Sequence, residues 1–173
     1  MNREYIVIAF TENQIGVLNR ITVCYLRRKI NIESLKVSES SIRGISMFVI
    51  SAFTTEETID KVVKQIRNII DVIEVSYYTA DQLITQEIAL YKISSKYLGG
   101  NGRIDAFSRG MMARMIEFSP GYVVMEKTGT REEIEELRDR LERDGVLLEF
   151  TRSGSVVLHR DAIEDILSEL EAE

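Results

Sequence analysis

Residues that carry covalent and metal-dependent chemistry are scarce in this chain of 173 residues. It has one cysteine, one histidine, one proline and no tryptophan. The single cysteine, Cys24, excludes an intrachain disulfide, and such sparse use is typical of a reducing cytoplasm. His159 has no second histidine or cysteine spaced to share a metal with it. The sequence therefore predicts no metal centre, no disulfide framework and a cytoplasmic protein.

Long apolar runs and basic stretches are also missing. No run approaches the roughly 20 apolar residues that a helix needs to span a bilayer. Met1 leads into a strand pattern without a signal peptide. The formal net charge is −6, and no basic stretch stands out to neutralise phosphates, which disfavours nucleic-acid binding. We therefore expect no membrane and no nucleic acid among the partners.

What the sequence does contain is a regular alternation of strand and helix patterns. Residues 5–10 form a continuous apolar run, which is typical of a strand buried on both faces. Helical spacing follows over 16–29, and a second helix begins after a capping box formed by Thr54 and Glu57. Further strands are predicted over 31–38, 45–53 and 71–78. The order is strand, helix, strand, strand, helix, strand.

The second half of the chain repeats this order. Strands are predicted over 87–94, 113–118, 122–127, 146–150 and 156–159, and helices over 104–112 and 161–170. A further helix follows a second capping box, Thr130 with Glu133, and ends at Gly145. Two copies of one order predict an α+β protein built from two ferredoxin-like βαββαβ domains.

These patterns also define the domain organisation. We predict a first domain over 1–79, a linker over 80–85, a second domain over 86–160 and a terminal helix over 161–173. Each half has about 80 residues, a size at which a single core is marginally stable. Open edge strands in such sheets invite pairing with another chain. We therefore expect a homodimer joined through its sheets.

The polar loop between the first strand and the first helix is the strongest candidate binding site. One interpretation is local: Asn13 caps the helix, and Gly16 permits a tight turn. The other interpretation is that the unpaired N–H groups of the first helical turn bind a small anion. These groups carry partial positive charge and suit the carboxylate of an amino acid.

A second segment, Asn31-Ile32, favours the binding interpretation. Within one ferredoxin-like domain it lies at the opposite end from the loop, but across a two-fold dimer Asn31 approaches Asn13 and Gly16. The two amides then bind the ammonium and carboxylate groups of the ligand, with backbone N–H groups near Gly16 and Val17. Apolar walls for a branched side chain come from Ile15, Val17, Leu18 and Ile32.

Other candidate residues have plainer explanations. Cys24 lies on the apolar face of the first helix, where a free cysteine behaves as a small hydrophobe. Segment 99–102, Gly-Gly-Asn-Gly, lacks the Lys-Ser/Thr that follows in a phosphate loop. Surface or interface positions are favoured over anion binding for Arg109, Arg114 and Arg152.

Several motifs together resemble a known family. They are Glu12-Asn13-x-x-Gly16-Val17-Leu18-x-Arg20, Asn31-Ile32-Glu33-Ser34-Leu35, Asp71-Val72-Ile73-x-Val75, Glu87-Ile88-Ala89-Leu90-x-Lys92, Glu126-x-Thr128-Gly129 and Arg152-Ser153-Gly154. This set resembles the small, regulatory subunits of acetolactate synthase, also called acetohydroxyacid synthase. The amino-terminal half of those subunits is an ACT domain, a ferredoxin-like amino-acid sensor. Lys29-Ile30 replaces a glycine-aromatic pair that is frequent in the family, and Ile15 replaces a proline.

The resemblance implies a regulatory function without catalytic residues in this chain. A separate catalytic subunit uses thiamine diphosphate, Mg²⁺ and FAD to condense pyruvate with pyruvate or 2-oxobutyrate. The small subunit stimulates that enzyme and confers feedback inhibition by valine, sometimes by leucine or isoleucine. The effector binds at the interface of two ACT domains, and the family's binding positions correspond to Asn13, Gly16, Val17, Asn31 and Ile32.

Two other functions are weighed against this one. The main alternative is a free-standing ACT-type amino-acid sensor that regulates another enzyme or transcription, although a DNA-directed function would require a helix-turn-helix or a basic arm. The enzymatic alternative is a small hydrolase of the acylphosphatase kind. That enzyme would require an arginine in the loop where this chain has Asn13 to Gly16.

Overall fold

The structure, a computed structural model, describes residues 1–97 and 109–160. It consists of two compact units. Of the described residues, the first comprises Met1–Thr85 and residues 157–160, and the second Gln86–Val156. In the described part of the chain, no helix is long and apolar enough to cross a membrane. The predicted helix over 161–173 and most of the predicted helix over 104–112 lie outside the described residues.

The first unit contains one antiparallel sheet with two helices. In chain order the elements are β1 (Arg3–Glu12), α1 (Val17–Leu26), β2 (Ser34–Glu39), β3 (Ile45–Thr54), α2 (Glu56–Arg67) and β4 (Val72–Tyr78). The strands lie in the order β2-β3-β1-β4, with β2 and β4 at the edges. This is the ferredoxin-like arrangement that the strand and helix order predicts.

Strand β1 is a central strand of the sheet, and its residues pack on both faces. Tyr5, Val7 and Ala9 belong to the core that the two helices cover. Ile6 and Ile8 point the other way and form a second cluster with Val49, Leu83 and Val157. The prediction of a strand buried on both faces is therefore confirmed for β1.

The second unit has a sheet of the same order. Its elements are β5 (Leu83–Ser94), β6 (Arg114–Phe118), β7 (Tyr122–Gly129), α3 (Arg131–Arg143) and β8 (Leu147–Arg152). The last strand, β9 (Val156–His159), starts at the final residue of this unit and continues in the first unit. The main path is β6-β7-β5-β8, and β9 also pairs with β5. The strand that opens each unit therefore occupies the same central position in its sheet.

The second unit begins at Gln86, the residue predicted for the start of the second domain, but the segments before and after it belong to the first unit. The predicted linker over 80–85 is a 3₁₀ turn, Ala80–Gln82, followed directly by β5. Leu83 is buried in the second cluster of the first unit, so this segment cannot be a solvated connection. The second unit ends at Val156 rather than at residue 160, because Val157 packs into that same cluster.

The two capping boxes have different outcomes. Thr130 and Glu133 form the predicted reciprocal pair: Thr130 N–H donates to Glu133 Oε2 at 2.8 Å, and Glu133 N–H donates to Thr130 Oγ1 at 3.3 Å. The assignment of Thr54 as the cap of α2 is wrong. Thr55 is the cap and accepts from the Thr58 N–H, because β3 continues through Thr54.

Candidate functional site

The loop between β1 and α1 is held by backbone hydrogen bonds. Asn13 N–H donates to the Gly44 carbonyl at 3.2 Å, and Gln14 N–H donates to the Glu12 carbonyl at 2.9 Å. Gly16 is the N-cap residue of α1 with a left-handed φ of 88°, and no side-chain hydrogen bond caps the helix. The interpretation of Asn13 as a helix cap is therefore wrong, and its amide is not committed to α1.

The start of α1 has the electrostatic character of an anion site. Its first turn contains no acidic residue, so the partial positive charge of the terminal N–H groups is not offset by a carboxylate on the helix. Gly16 allows the left-handed turn from β1 into α1, a conformation that costs most other residues free energy. An exposed loop thus leads into a helix whose first N–H groups donate no hydrogen bond to a capping side chain.

A cavity of about 180 Å³ lies beside this helix start. Its walls include Asn13, Gly16, Leu18, Val37, Ser46 and Phe48. Val37 and Phe48 are opposite each other in the pairing of β2 with β3, so their side chains lie on one face of the sheet. The cavity combines an apolar floor with amide, hydroxyl and backbone N–H groups, which suits a small zwitterion with an apolar side chain.

Four of the predicted site residues lie together at this cavity, and they have unequal side-chain roles. Asn13, Gly16, Val17 and Leu18 all line it. The Val17 side chain is only 2% exposed and belongs to the core, whereas Ile15 is fully exposed and does not line the cavity. Sequence reasoning missed Val37, Ser46 and Phe48. Each of these residues lies in a predicted strand, where side chains alternate between the two faces of the sheet. Which of them meet at the cavity follows only from the register that pairs the two strands.

Asn31 and Ile32 lie at the other end of the sheet in the same protomer. The Glu33 N–H donates to the Ser51 carbonyl, whereas the loop side of the sheet pairs Glu12 with Ile45. The interval from Ile45 to Ser51 corresponds to about 20 Å of strand. One copy of the chain therefore does not bring Asn31 to the cavity, as the ferredoxin-like layout predicts.

The sheet edge next to the cavity is apolar. Among residues 1–97 and 109–160, strand β2 has a neighbour on one side only, β3. Leu35 and Val37 are 37% and 44% exposed, and Leu18 of α1 is 46% exposed. Leu35 pairs with Ile50, a residue of the helix-covered core. Apolar side chains thus continue from the core to the edge of the sheet.

The remaining candidate residues are engaged in structural contacts. Cys24 is buried, and burial raises the pKa of its thiol, which disfavours the reactive thiolate. His159 contacts Tyr78 edge-on, with ring centroids 4.6 Å apart. Arg114 pairs with Glu126 at 3.0 Å, and Arg152 pairs with Glu87 at 2.8 Å. Both arginines already have carboxylate partners, which supports their structural interpretation over anion binding.

A ferredoxin-like unit with a small-ligand cavity at its first strand–helix loop is the architecture of ACT-type regulatory domains. Residues 8–74 match the family described as AHAS small subunit-like ACT domain, where AHAS abbreviates acetohydroxyacid synthase. Residues 86–161 match the family described as the small subunit of acetolactate synthase. The chain belongs to the acetolactate synthase small-subunit family.

Individual relatives agree with this assignment. An acetolactate synthase small subunit from Mycobacterium leprae is 34% identical over 149 residues, covering 86% of this chain and 87% of the relative. One from Aquifex aeolicus is 29% identical over 159 residues, covering 92% and 82%. The crystal structure of the Thermotoga maritima acetolactate synthase small subunit has a TM-score of 0.79 at 26% identity. That match covers 93% of this chain and 99% of the crystallised chain.

Proposed function

We propose that this chain is the non-catalytic regulatory subunit of an acetolactate synthase, which activates the catalytic subunit and makes it sensitive to valine or another branched-chain amino acid. The observation that carries the effector site is the uncapped start of α1 beside a cavity with an apolar floor. Family membership supports the catalytic subunit as partner. The reaction itself, with thiamine diphosphate, Mg²⁺ and FAD, belongs to that separate chain.

Recognition of the effector follows from the chemistry of the cavity walls. The carboxylate accepts hydrogen bonds from N–H groups in the first turn of α1 and from the Asn13 amide. The branched side chain packs against Val37 and Phe48. For the ammonium group, a second copy supplies the carbonyl oxygen of its Asn31 side chain, in addition to the Glu12 carboxylate that lines the cavity.

A two-fold dimer through β2 would complete the site. Strand β2 runs in the same direction as β1, since both are antiparallel to β3. Antiparallel pairing of two β2 edges reverses one sheet relative to the other. The Asn31 end of one copy then comes beside the Gly16 end of its partner. The apolar edge residues Leu35 and Val37 would be covered by the same pairing.

Regulation then operates by linkage between the effector and the catalytic subunit. Valine at the paired ACT domains favours one arrangement of the dimer, and that arrangement activates the catalytic chain less well. A coupling free energy of about 1–3 kcal/mol changes affinity by roughly 5- to 150-fold, which is sufficient for feedback control. The second unit contributes to activation.

Reconstitution with the cognate catalytic subunit tests this function. We expect the wild-type chain to raise acetolactate formation and to confer valine inhibition. The Asn13→Ala and Gly16→Asp variants should lose that inhibition while still stimulating the enzyme, because the first removes an amide and the second puts a carboxylate at the anion site. Gly145→Asp is the matched control, since Gly145 also has a left-handed φ, 66°, and lies in the other unit.

The outcomes separate the site from the function. Undiminished valine sensitivity in both loop variants would refute the cavity as effector site. A wild-type chain that neither stimulates the catalytic subunit nor responds to a branched-chain amino acid would instead favour the free-standing sensor. A monomeric mass in light scattering at micromolar concentration would refute the shared site.

A further inference from the structure

A groove on the outer surface of the first unit lies apart from the effector cavity. It has a volume of about 370 Å³ and runs between α1 and α2 on the face turned away from the sheet. The α1 side contributes Arg20, Val23 and Arg27, and the α2 side contributes Asn68, Ile69 and Ile70. Apolar and cationic groups therefore line the same groove.

The charge of α1 contrasts with that of the whole chain. Residues 13–32 contain no aspartate or glutamate but include Arg20, Arg27, Arg28 and Lys29, in a chain of net charge −6. Arg20 is paired with Asp71, and Arg28 donates to the Cys24 carbonyl and to Gln65. Arg27 is exposed and has no ion-pair partner among residues 1–97 and 109–160. Its positive charge is available to a partner.

Large apolar side chains are exposed beside this charge. Ile70 lines the groove with 91% of its surface exposed, and Leu26, adjacent to Arg27, is 72% exposed. A single exposed apolar residue is ordinary on a protein surface. Here Ile70 lines the groove and Leu26 adjoins its available arginine in sequence. This combination has the composition of a protein interface, in which apolar anchors and arginine are enriched.

We propose that the α1–α2 groove docks the catalytic subunit through a surface segment whose apolar side chains are flanked by carboxylates. This inference rests on the proposed regulatory function, which supplies the partner. Charge complementarity selects the chemistry of the segment: carboxylates meet Arg27, and apolar side chains meet Leu26 and Ile70. The start of the same helix borders the proposed effector cavity, where Gly16 and Leu18 lie.

Sharing α1 gives the groove a direct connection to the effector. The helix has 10 residues, which corresponds to about 15 Å from end to end. Effector contacts are made at its first turn, and Arg27 follows its last turn. A small shift of this one rigid element on effector binding therefore moves both surfaces together.

Binding of the full chain to its cognate catalytic subunit tests the groove. The dissociation constant is measured by calorimetry at low and at physiological salt, for the wild type, Arg27→Glu and Ile70→Asp. We expect each variant to bind about tenfold more weakly, because a carboxylate replaces a cation or an apolar anchor. Arg27→Glu should also flatten the salt dependence, since it removes an attractive charge pair.

Lys61→Glu is the matched control. Lys61 is exposed, lies on α2 outside the groove and undergoes the same change of charge. It should bind the catalytic subunit like the wild type, and all variants should bind valine normally, which reports an intact first unit. Valine binding without any wild-type binding to the catalytic subunit would refute the proposed function itself.

Three other outcomes would overturn the groove alone. The first is wild-type affinity in both groove variants. The second is equal weakening by Lys61→Glu, which would indicate general repulsion by added negative charge. The third is conversion of the dimer to a monomer by Ile70→Asp, which would assign the groove to self-association.

Discussion

Lys29 and Gly145 occupy the same position after two different helices. After α1, the Ile30 N–H donates to the Tyr25 carbonyl at 3.1 Å, and the Lys29 N–H donates to the Leu26 carbonyl at 3.0 Å. After α3, Val146 and Gly145 make the equivalent bonds to Leu141 and Glu142. Both ends are Schellman motifs, whose left-handed residue is usually glycine. Lys29 adopts that conformation with a φ of 55°.

Lys29→Gly should stabilise the first unit. The left-handed conformation costs an L-residue about 1–2 kcal/mol, and the greater entropy of an unfolded glycine offsets about 0.5–1 kcal/mol of that. We expect the free energy of unfolding to rise by roughly 0.5–1 kcal/mol, measured by urea denaturation. Gly145→Ala is the opposite change at the equivalent position and should destabilise the second unit. Its added Cβ meets nothing within 4 Å, so the cost reports the backbone alone.

Two arginine–glutamate pairs in the second sheet differ mainly in burial. The Glu87 side chain is 2% exposed; it accepts from Arg152 Nη1 at both carboxylate oxygens and from the Ser155 hydroxyl. The Arg114–Glu126 pair has an arginine that is 72% exposed. Glu87→Ala should reduce the free energy of unfolding by about 3–5 kcal/mol, because it leaves a largely buried guanidinium without its main partner. Glu126→Ala should cost about 0–1 kcal/mol. Equal losses in chemical denaturation would contradict burial as the cause.

At the scale of elements, strand β2 is the edge through which two copies of the chain are proposed to pair. It is short, lies at the edge of its sheet and carries Leu35 and Val37 toward the helix side. Natural proteins usually protect such an edge with charges, proline or a bulge. Strand β6, at an edge of the other sheet, has a register shift between Met115 and Glu117, which disfavours further pairing there. The two edges therefore differ in their capacity for dimerisation.

Leu35→Lys should convert the proposed dimer to a monomer. Antiparallel pairing through β2 would bring the two introduced ammonium groups into one apolar interface, where like charges repel and lose hydration. Light scattering coupled to size exclusion measures the mass. Ile88→Lys is the control, because Ile88 is 48% exposed on a strand of the second unit. A dimeric Leu35→Lys variant would exclude β2 as the interface.

Elements with a strong local signal were predictable from the sequence. Three such signals are the apolar run of β1, the Thr130–Glu133 capping box and the apolar face of α2. That face consists of Ile59, Val62, Val63 and Ile66. The exchange of Thr54 for Thr55 as the cap of α2 was not predictable, since adjacent threonines cap equally well. The floor of the cavity, Val37 and Phe48, depended on the register of two strands. The proposed contribution of Asn31 depends on a two-fold symmetry between two copies, which the sequence of one chain does not specify.

At the scale of the whole molecule, the first unit is discontinuous in sequence. Its second apolar cluster combines Ile6, Ile8 and Val49 with Leu83 and Val157, and Val157 follows the entire second unit. Sequence patterns treat each half as self-contained, so they assigned Leu83 to a linker and Val157 to the second domain. A cut between the halves therefore removes part of the first unit's packing.

Fragments 1–78 and 1–85 test this arrangement. Both lack Val157, but 1–85 retains Leu83, which is 1% exposed in the full chain. Burying one leucine contributes about 1.5–3 kcal/mol, so 1–85 should unfold at a higher urea concentration than 1–78. Neither fragment should fully activate the catalytic subunit. Equal urea midpoints would show that Leu83 adds nothing to the first unit, and full activation by either fragment would remove the function assigned to the second.

The packing of Val157 against the first unit has a consequence for folding during synthesis on the ribosome. When β1, β3 and the two helices of the first unit have emerged, Ile6, Ile8 and Val49 have yet to meet Val157, which among the described residues is the member of their cluster that is synthesised last. All of Gln86–Val156 must be made before that residue appears. Until then the nascent protein presents an incompletely covered sheet face, the kind of surface that chaperones bind and that promotes aggregation. All residues of the second unit are therefore synthesised before Val157 joins the apolar cluster of the first unit.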